Sequence, residues 1–204
     1  MNILIAAVGG QGALLAARII GNYALLEAQQ VKVSEIHGMS QRGGSVVTHI
    51  RFAKEVYSPV IEMGTADVLL GFEILEAARS IQYLRPGGML IVSRQQILPL
   101  PVLTGAATYP PALLESFASM PITTYTIDAL SHATELGNIK AVNTLLVGVL
   151  ARRLSDDRVN WQKAVAESVP ARHRELNRRA FDFGFEFDFS SIDSRRHRQK
   201  EASS

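Results

Sequence analysis

Asn2–Val8 reads NILIAAV, almost unbroken in apolar residues, the pattern of a strand covered on both faces within a parallel sheet. From Gly12 to Ala28 the polar positions Arg18, Asn22 and Gln29 recur at spacings of 4 and 7, which leaves one wet stripe on an otherwise buried helix. Val31–Ile36 returns as a second strand, so the chain opens on a βαβ unit whose crossover is expected to be right-handed. Val46–Phe52, rich in β-branched residues, predicts a third strand, with Tyr57-Ser-Pro59 turning the chain away, and Ala66–Gly71 a fourth. Glu73–Leu84 reads as a helix closed by Arg85-Pro-Gly-Gly88, followed by the strand Met89–Val92. The proline-rich 98–111 is a connection, and Ile122–Ile127 a further strand. Asp128 caps a short helix reaching Leu136, and Asn138 opens another over Ile139–Leu154, because their side-chain oxygens accept orphan amide hydrogens of a first turn. Two more helices follow, around Trp161–Ser168 and from Ala171 to Phe183. The pattern predicts a three-layer α/β/α sandwich around a mostly parallel sheet, a mixed sheet remaining open, with a Rossmann-like start and a helical C-terminal third.

Composition changes this picture in three ways. A chain of 204 residues with 47% hydrophobic content suits one domain, expected over 1–189, able to bury roughly 70% of its unfolded surface. No apolar run approaches the ~18 residues of a membrane span, and the start carries no basic leader, so the expectation is a soluble cytoplasmic protein without membrane partners. The absence of cysteine excludes disulfides, iron–sulfur ligation and a thiol nucleophile in this chain. The pI near 9.0 is misleading. Residues 190–204 hold Arg195, Arg196, Arg198 and Lys200 against Asp193 and Glu201, a net of +2 that equals the whole formal charge. The body is therefore close to neutral, which argues against nucleic acid, and the basic tail 190–204 is expected to be a disordered, solvated end.

Candidate chemistry gathers at two glycine-rich turns after successive strands. In the first, Val8-Gly9-Gly10-Gln11-Gly12, small residues let backbone amides approach a ligand at a helix N-terminus, where the partial positive charge favours an anion. Gly9 and Gly12 fall on the second and third positions of the dinucleotide fingerprint, and Glu35 lies 23 residues beyond Gly12, but Ala7 occupies the first position. Three readings stay open: an anion or phosphate site on Gly9, Gly10, Gln11 and Gly12, glycines needed only for close packing, or a nicotinamide or flavin site. The second turn lies in Ser34-Glu-Ile-His-Gly-Met-Ser-Gln-Arg-Gly-Gly-Ser45. There Arg42 can clamp a carboxylate or phosphate and His37 can transfer a proton. The plainer alternative is a Glu35–Arg42 ion pair bracing the loop, with His37 on a carbonyl. His49 and Arg51 alternate on the third strand and read as a solvated face, and His132 and His173 stand without ligand-spaced partners.

Together VGGQG, SEIHGMSQRGGSVVTHIR, YSPVI, ADVLLGFE and ELGNIKAVNTLLVG carry a resemblance. The chain resembles the small beta subunit of indolepyruvate ferredoxin oxidoreductases and, more broadly, the gamma subunit or domain of the 2-oxoacid:ferredoxin oxidoreductases. The resemblance implies oxidative decarboxylation of a 2-oxoacid, here an aryl pyruvate, to the acyl-coenzyme A, with electrons passed to ferredoxin. It implies no cofactor bound by this chain alone. Thiamine diphosphate, Mg and the iron–sulfur clusters belong to a large alpha-subunit partner, coenzyme A is a co-substrate, and the isolated chain is inactive. On that reading Gly9, Gly10, Gln11 and Gly12 contact coenzyme A phosphate, while His37, Gln41 and Arg42 sit at the subunit interface facing the active site. A stand-alone nucleotide- or flavin-binding oxidoreductase and a pure assembly module are the alternatives. Phe181 to Phe189, a phenylalanine at every second position, departs from the family pattern and is expected to pack on this chain or its partner.

Overall fold

The computed structural model describes residues 1–38 and 43–189, so Gln41 and Arg42 lie outside the described residues, as does the tail 190–204. Six strands form one sheet: β1 (Asn2–Val8), β2 (Gln30–His37), β3 (Ser45–Ala53), β4 (Ala66–Gly71), β5 (Leu84–Ser93) and β6 (Thr123–Ile127), in the order β2-β3-β1-β4-β5-β6. β1, β4, β5 and β6 run parallel, whereas β3 is antiparallel to both β1 and β2. The sheet is thus mixed. The opening βαβ unit exists, but β3 is inserted between its two strands and leaves β2 as the edge.

Alternation along β1 sets the two faces of the core. Ile3, Ile5 and Ala7 enter a large cluster with α1 (Ala13–Leu26), while Leu4 and Ala6 enter a smaller one with α2 (Ile74–Ser80) and α4 (Leu113–Ser119). The large cluster also takes α5 (Ala129–Glu135), α6 (Val142–Leu154), α7 (Arg158–Ser168) and α8 (Arg174–Glu186). Trp161 of α7, fully buried, stacks on Tyr23 of α1 with ring centroids 3.8 Å apart. The alternating phenylalanines fall on and beyond α8, where Phe181 and Phe185 are buried and Phe183, Phe187 and Phe189 pack against the same core. They cover this chain's own surface. No helix among the described residues is long and apolar enough to cross a membrane.

Several expected boundaries moved. Asp128 and Asn138 do cap, accepting from the amides of Ser131 and Lys140, although the second helix begins with a 3-10 turn over Ile139–Ala141. The helix opened by Glu73 ends at Ser80, not Leu84, because Leu84 pairs with Ala66 and starts β5. The 98–111 connection holds the short α3 (Leu100–Leu103). α4 follows it, in a stretch where the sequence pattern suggested no element.

The third strand's face is not solvated at His49. Residues 55–62 cross back over it, the Ile61 amide donates to His49 Nδ1 at 3.1 Å, and only 1% of the residue stays exposed. Arg51 instead reaches out to Asn2 Oδ1 and to the Ser58 and Val60 carbonyls, holding that segment down. Burial lowers the His49 pKa below its ordinary 6.5. As pH falls, the unfolded chain therefore takes up the proton first. The stability contributed by neutral His49 is complete above about pH 6.5 and is lost between there and the lowered folded-state value. Denaturant midpoints at pH 7.5 and 5.0 should fall further for the wild type than for His49→Asn, whose Oδ1 can take the same amide without titrating. An equal fall in both proteins would contradict this.

Candidate functional site

β1 ends against open space at the sheet's carboxyl edge, and the first glycine turn starts there. Gly10 and Gly12 adopt φ of 101° and 85°, a region that an L side chain enters at a cost of about 1–2 kcal/mol. Their reasons differ. A Cβ on Gly10 would meet nothing, whereas one on Gly12 would collide with the Asn143 side chain, whose Nδ2 donates to the Gly12 carbonyl at 3.3 Å. Gly12 also forms the N-cap of α1 and provides no side-chain cap. The Ala13 and Leu14 amides of this 14-residue helix have no intrahelical acceptor, so its positive end is presented to whatever lies outside.

Gln11 does something different from its glycine neighbours. Its Oε1 accepts from the Val8 amide at 2.7 Å, and its Nε2 donates to the Phe72 carbonyl at 3.2 Å and to Gln95 Oε1 at 3.0 Å. Both side-chain hydrogens are thereby committed, and none remains for an anion. Gln11 instead latches together the ends of β1, β4 and β5.

On one side of the turn lies a cleft of about 510 Å³. Gly10, Gln11 and Gly12 form one wall, and Asn138–Asn143, Val169, Pro170, His173, Leu176 and Asn177 face them. Among the described residues its only charged or titratable lining groups are Lys140 and His173, with no carboxylate. His173 Nε2 accepts from Arg172 Nε at 3.1 Å, which brings a guanidinium to the same region. Beneath the wall, Thr144 Oγ1 donates to Asn177 Oδ1 at 2.6 Å and Asn177 Nδ2 to the His173 carbonyl at 2.8 Å, so the buried polar groups there are satisfied by one another. An uncapped helix start, the Lys140 ammonium, the Arg172 guanidinium that donates to His173, and an apolar floor of Leu15, Val142 and Leu176 suit an anion carried on a larger, partly apolar molecule.

A shallower hollow of about 440 Å³ opens on the other side of the turn, lined by Val8–Gly10, Gly12–Leu14, Glu35, His37 and Val46. His37 thus shares a concavity with Gly9, Gly10 and Gly12. Its Nδ1 lies 3.0 Å from the Gly38 carbonyl and the ring is exposed. Glu35 Oε2 accepts from Thr48 Oγ1, and the expected Glu35–Arg42 pair falls outside the described residues. The two glycine turns themselves are joined: the Gly9 amide donates to the Gly44 carbonyl at 2.7 Å and the Gly43 amide to the Gly9 carbonyl at 3.3 Å. Among the described residues no group of three His, Asp or Glu side chains comes close enough to hold a metal ion.

Sequence reasoning missed Lys140, Asn143 and His173. The first two fall in the ELGNIKAVN stretch, whose Asn138 cap was legible, but nothing local said that this cap faces the first glycine turn from more than 120 residues away.

The model of the family described as "Pyruvate ferredoxin/flavodoxin oxidoreductase" matches residues 2–187. The chain is 39% identical over 193 residues to the indolepyruvate oxidoreductase subunit IorB of Thermococcus kodakarensis, covering 90% of this chain and 93% of that one. A protein of the same name from Pyrococcus horikoshii is 40% identical over 192 residues, again covering 90% and 93%. Among solved structures, the gamma subunit of a keto/oxoacid ferredoxin oxidoreductase from Geobacter sulfurreducens superposes with a TM-score of 0.68 at 24% identity, over 91% of this chain and 96% of that one. A 2-oxoglutarate:ferredoxin oxidoreductase from Magnetococcus marinus, with 2-oxoglutarate, coenzyme A and succinyl-CoA bound, gives a TM-score of 0.68 at 16% identity over 90% of this chain but only 30% of its own. These two share the fold. The family match along nearly the whole chain and the two relatives of matching length establish that this chain belongs to the pyruvate ferredoxin/flavodoxin oxidoreductase family.

Proposed function

We propose that the chain is the small subunit of a thiamine-diphosphate-dependent 2-oxoacid:ferredoxin oxidoreductase, with indolepyruvate or another aryl pyruvate as substrate, and that its cleft holds the anionic end of coenzyme A. The observation that carries the second part is the cleft at the uncapped start of α1, lined by no carboxylate among the described residues, with Lys140 and His173 opposite. The relatives named as indolepyruvate oxidoreductase subunits support the first. Neither Mg nor iron–sulfur clusters fit the described residues, and thiamine diphosphate is proposed to go with them. Without cysteine the chain has no thiolate for a cluster, and no carboxylate group gathers among the described residues to hold a divalent ion. These groups are assigned to the large partner subunit, and ferredoxin to the complex as electron acceptor.

On this reading the chain binds and orients. The first-turn amides and Lys140 take phosphate charge, the apolar floor takes the uncharged part of the molecule, and His37, Gln41 and Arg42 face the partner's active site. Charge-assisted contacts of this kind are each worth about 1 kcal/mol at a part-exposed site, close to fivefold in affinity. Lys140→Ala, assayed in the complex with its large subunit, should raise the KM for coenzyme A about three- to tenfold with little change in the KM for the 2-oxoacid. A complex that forms normally with an unchanged coenzyme A KM would remove the cleft from the reaction. Failure of any large, cluster-bearing chain to co-purify would remove the subunit assignment itself.

A further inference from the structure

We infer that Glu73, which caps α2, and Glu76 in its first turn are positioning residues that hold the first glycine turn from both sides, although neither lines the cleft. Glu73 is fully buried and Glu76 is 4% exposed. Polar groups so deeply buried are tolerated only when hydrogen-bonded, and their partners show what they hold.

Glu73 Oε2 accepts from the Glu76 amide at 2.8 Å, which is all that capping α2 requires. Its Oε1 does more, accepting from the Tyr109 hydroxyl at 2.6 Å and from the Ile97 amide at 3.2 Å. Burial and the neighbouring Glu73 carboxyl group push the Tyr109 phenol above its ordinary pKa, which favours the protonated, donating form. Ile97 lies two residues beyond Gln95, whose carbonyl accepts from the Ile74 amide at 3.1 Å and whose Oε1 accepts from Gln11. This arm therefore ends on the first turn at Gln11.

The second arm starts at Glu76. Its Oε1 takes Arg79 at 2.7 Å and its Oε2 takes the Ser45 hydroxyl. Ser45 follows Gly44, whose carbonyl receives the Gly9 amide. One seven-residue helix thus grips the turn at Gly9 through the second glycine turn and at Gln11 through 95–97. Gly10 lies between those two grips and Gly12 directly beyond the second; both have left-handed backbone, which in isolation would relax to many conformations.

Ser45→Ala cuts the second arm, and Tyr109→Phe loosens the first by removing one of the two donors on Glu73 Oε1; neither touches the cap of α2. Hydrogen–deuterium exchange on the complex with the large subunit should show the hydrogen-bonded amides of the turn, those of Gly9 and Gln11, exchanging at least threefold faster in each, and faster still in the double variant, with α6 unchanged. Unchanged exchange at the turn would overturn the inference, and so would an equal increase in α6, which would mean general loosening. The kinetic readout rests on the coenzyme A reading and separates the two ideas. A coenzyme A KM that rises more than kcat falls supports both. Faster exchange with an unmoved KM leaves the positioning role standing and refutes the coenzyme A assignment.

Discussion

Valine at Gly184 is expected to abolish the stable fold, or to lower the melting temperature by about 8–16 °C if folding survives, the shift corresponding to roughly 4 kcal/mol in a chain of this size. Gly184 of α8 and Gly148 of α6 mark where the two helices cross with backbones in contact. A Cβ at Gly184 would fall on the Leu145 carbonyl, and one at Gly148 on the Phe181 carbonyl. The colliding atoms are main-chain, so no rotamer change relieves the clash. The helices must separate, pulling Phe181 and Phe185 from the core formed with Trp161. Gly21 of α1 provides the control. There a Cβ would meet only the Val31 side chain at 3.9 Å, so Gly21→Ala should stabilise by up to about 1 kcal/mol through helix propensity. Denaturant unfolding of the three proteins checks the signs. A Gly184→Val protein melting within ~3 °C of wild type would mean that the helices do not cross there.

Alanine at Gly12 should lose both stability and ligand binding, whereas alanine at Gly10 should lose less of each. Both substitutions force a left-handed backbone on an L residue at about 1–2 kcal/mol. Only Gly12→Ala also displaces Asn143 and its hydrogen bond to the Gly12 carbonyl, adding about 1 kcal/mol and shifting the wall of the cleft. The expected total is about 2–3 kcal/mol of stability at Gly12. If the cleft holds coenzyme A, a KM increase of at least ~10-fold, about 1.4 kcal/mol, should accompany it. Asn143→Ala relieves the clash without altering the backbone strain, so the double variant should recover part of the stability, and a double-mutant cycle isolates that part. Additive losses would show that Gly12 is kept for its backbone angle alone.

Much of the scaffold was legible because the cues were local. β1 and β4 were placed to the residue from continuous apolar runs, and the Asp128 and Asn138 caps from one side chain beside a helical pattern. The two glycine turns were legible as places where small residues allow close backbone approach, and the structure does bring them together through Gly9, Gly43 and Gly44. Local cues misled where a distant segment changed the environment of a residue. His49 alternates like a solvated strand position, yet residues 55–62 bury it. Gln11 sits among glycines like a ligand contact, yet its amide closes on Phe72 and Gln95, more than 60 residues away.

By itself the sequence determined most of the strands and helices, α3 and α4 excepted, that both sheet faces are covered, that no thiolate is available, and that glycine-rich stretches follow β1 and β2. These depend on periodicity, propensity and composition, which act within a few residues. Only the tertiary structure decided that β3 lies between β1 and β2, that Gly148 and Gly184 form a helix crossing, and that Lys140 and His173 face the first turn across a cleft. The physical reason is that strand order, helix crossing and cleft composition are set by which surfaces bury one another across the whole chain. A glycine at a turn and a glycine at a helix crossing look alike until the opposing backbone is in place.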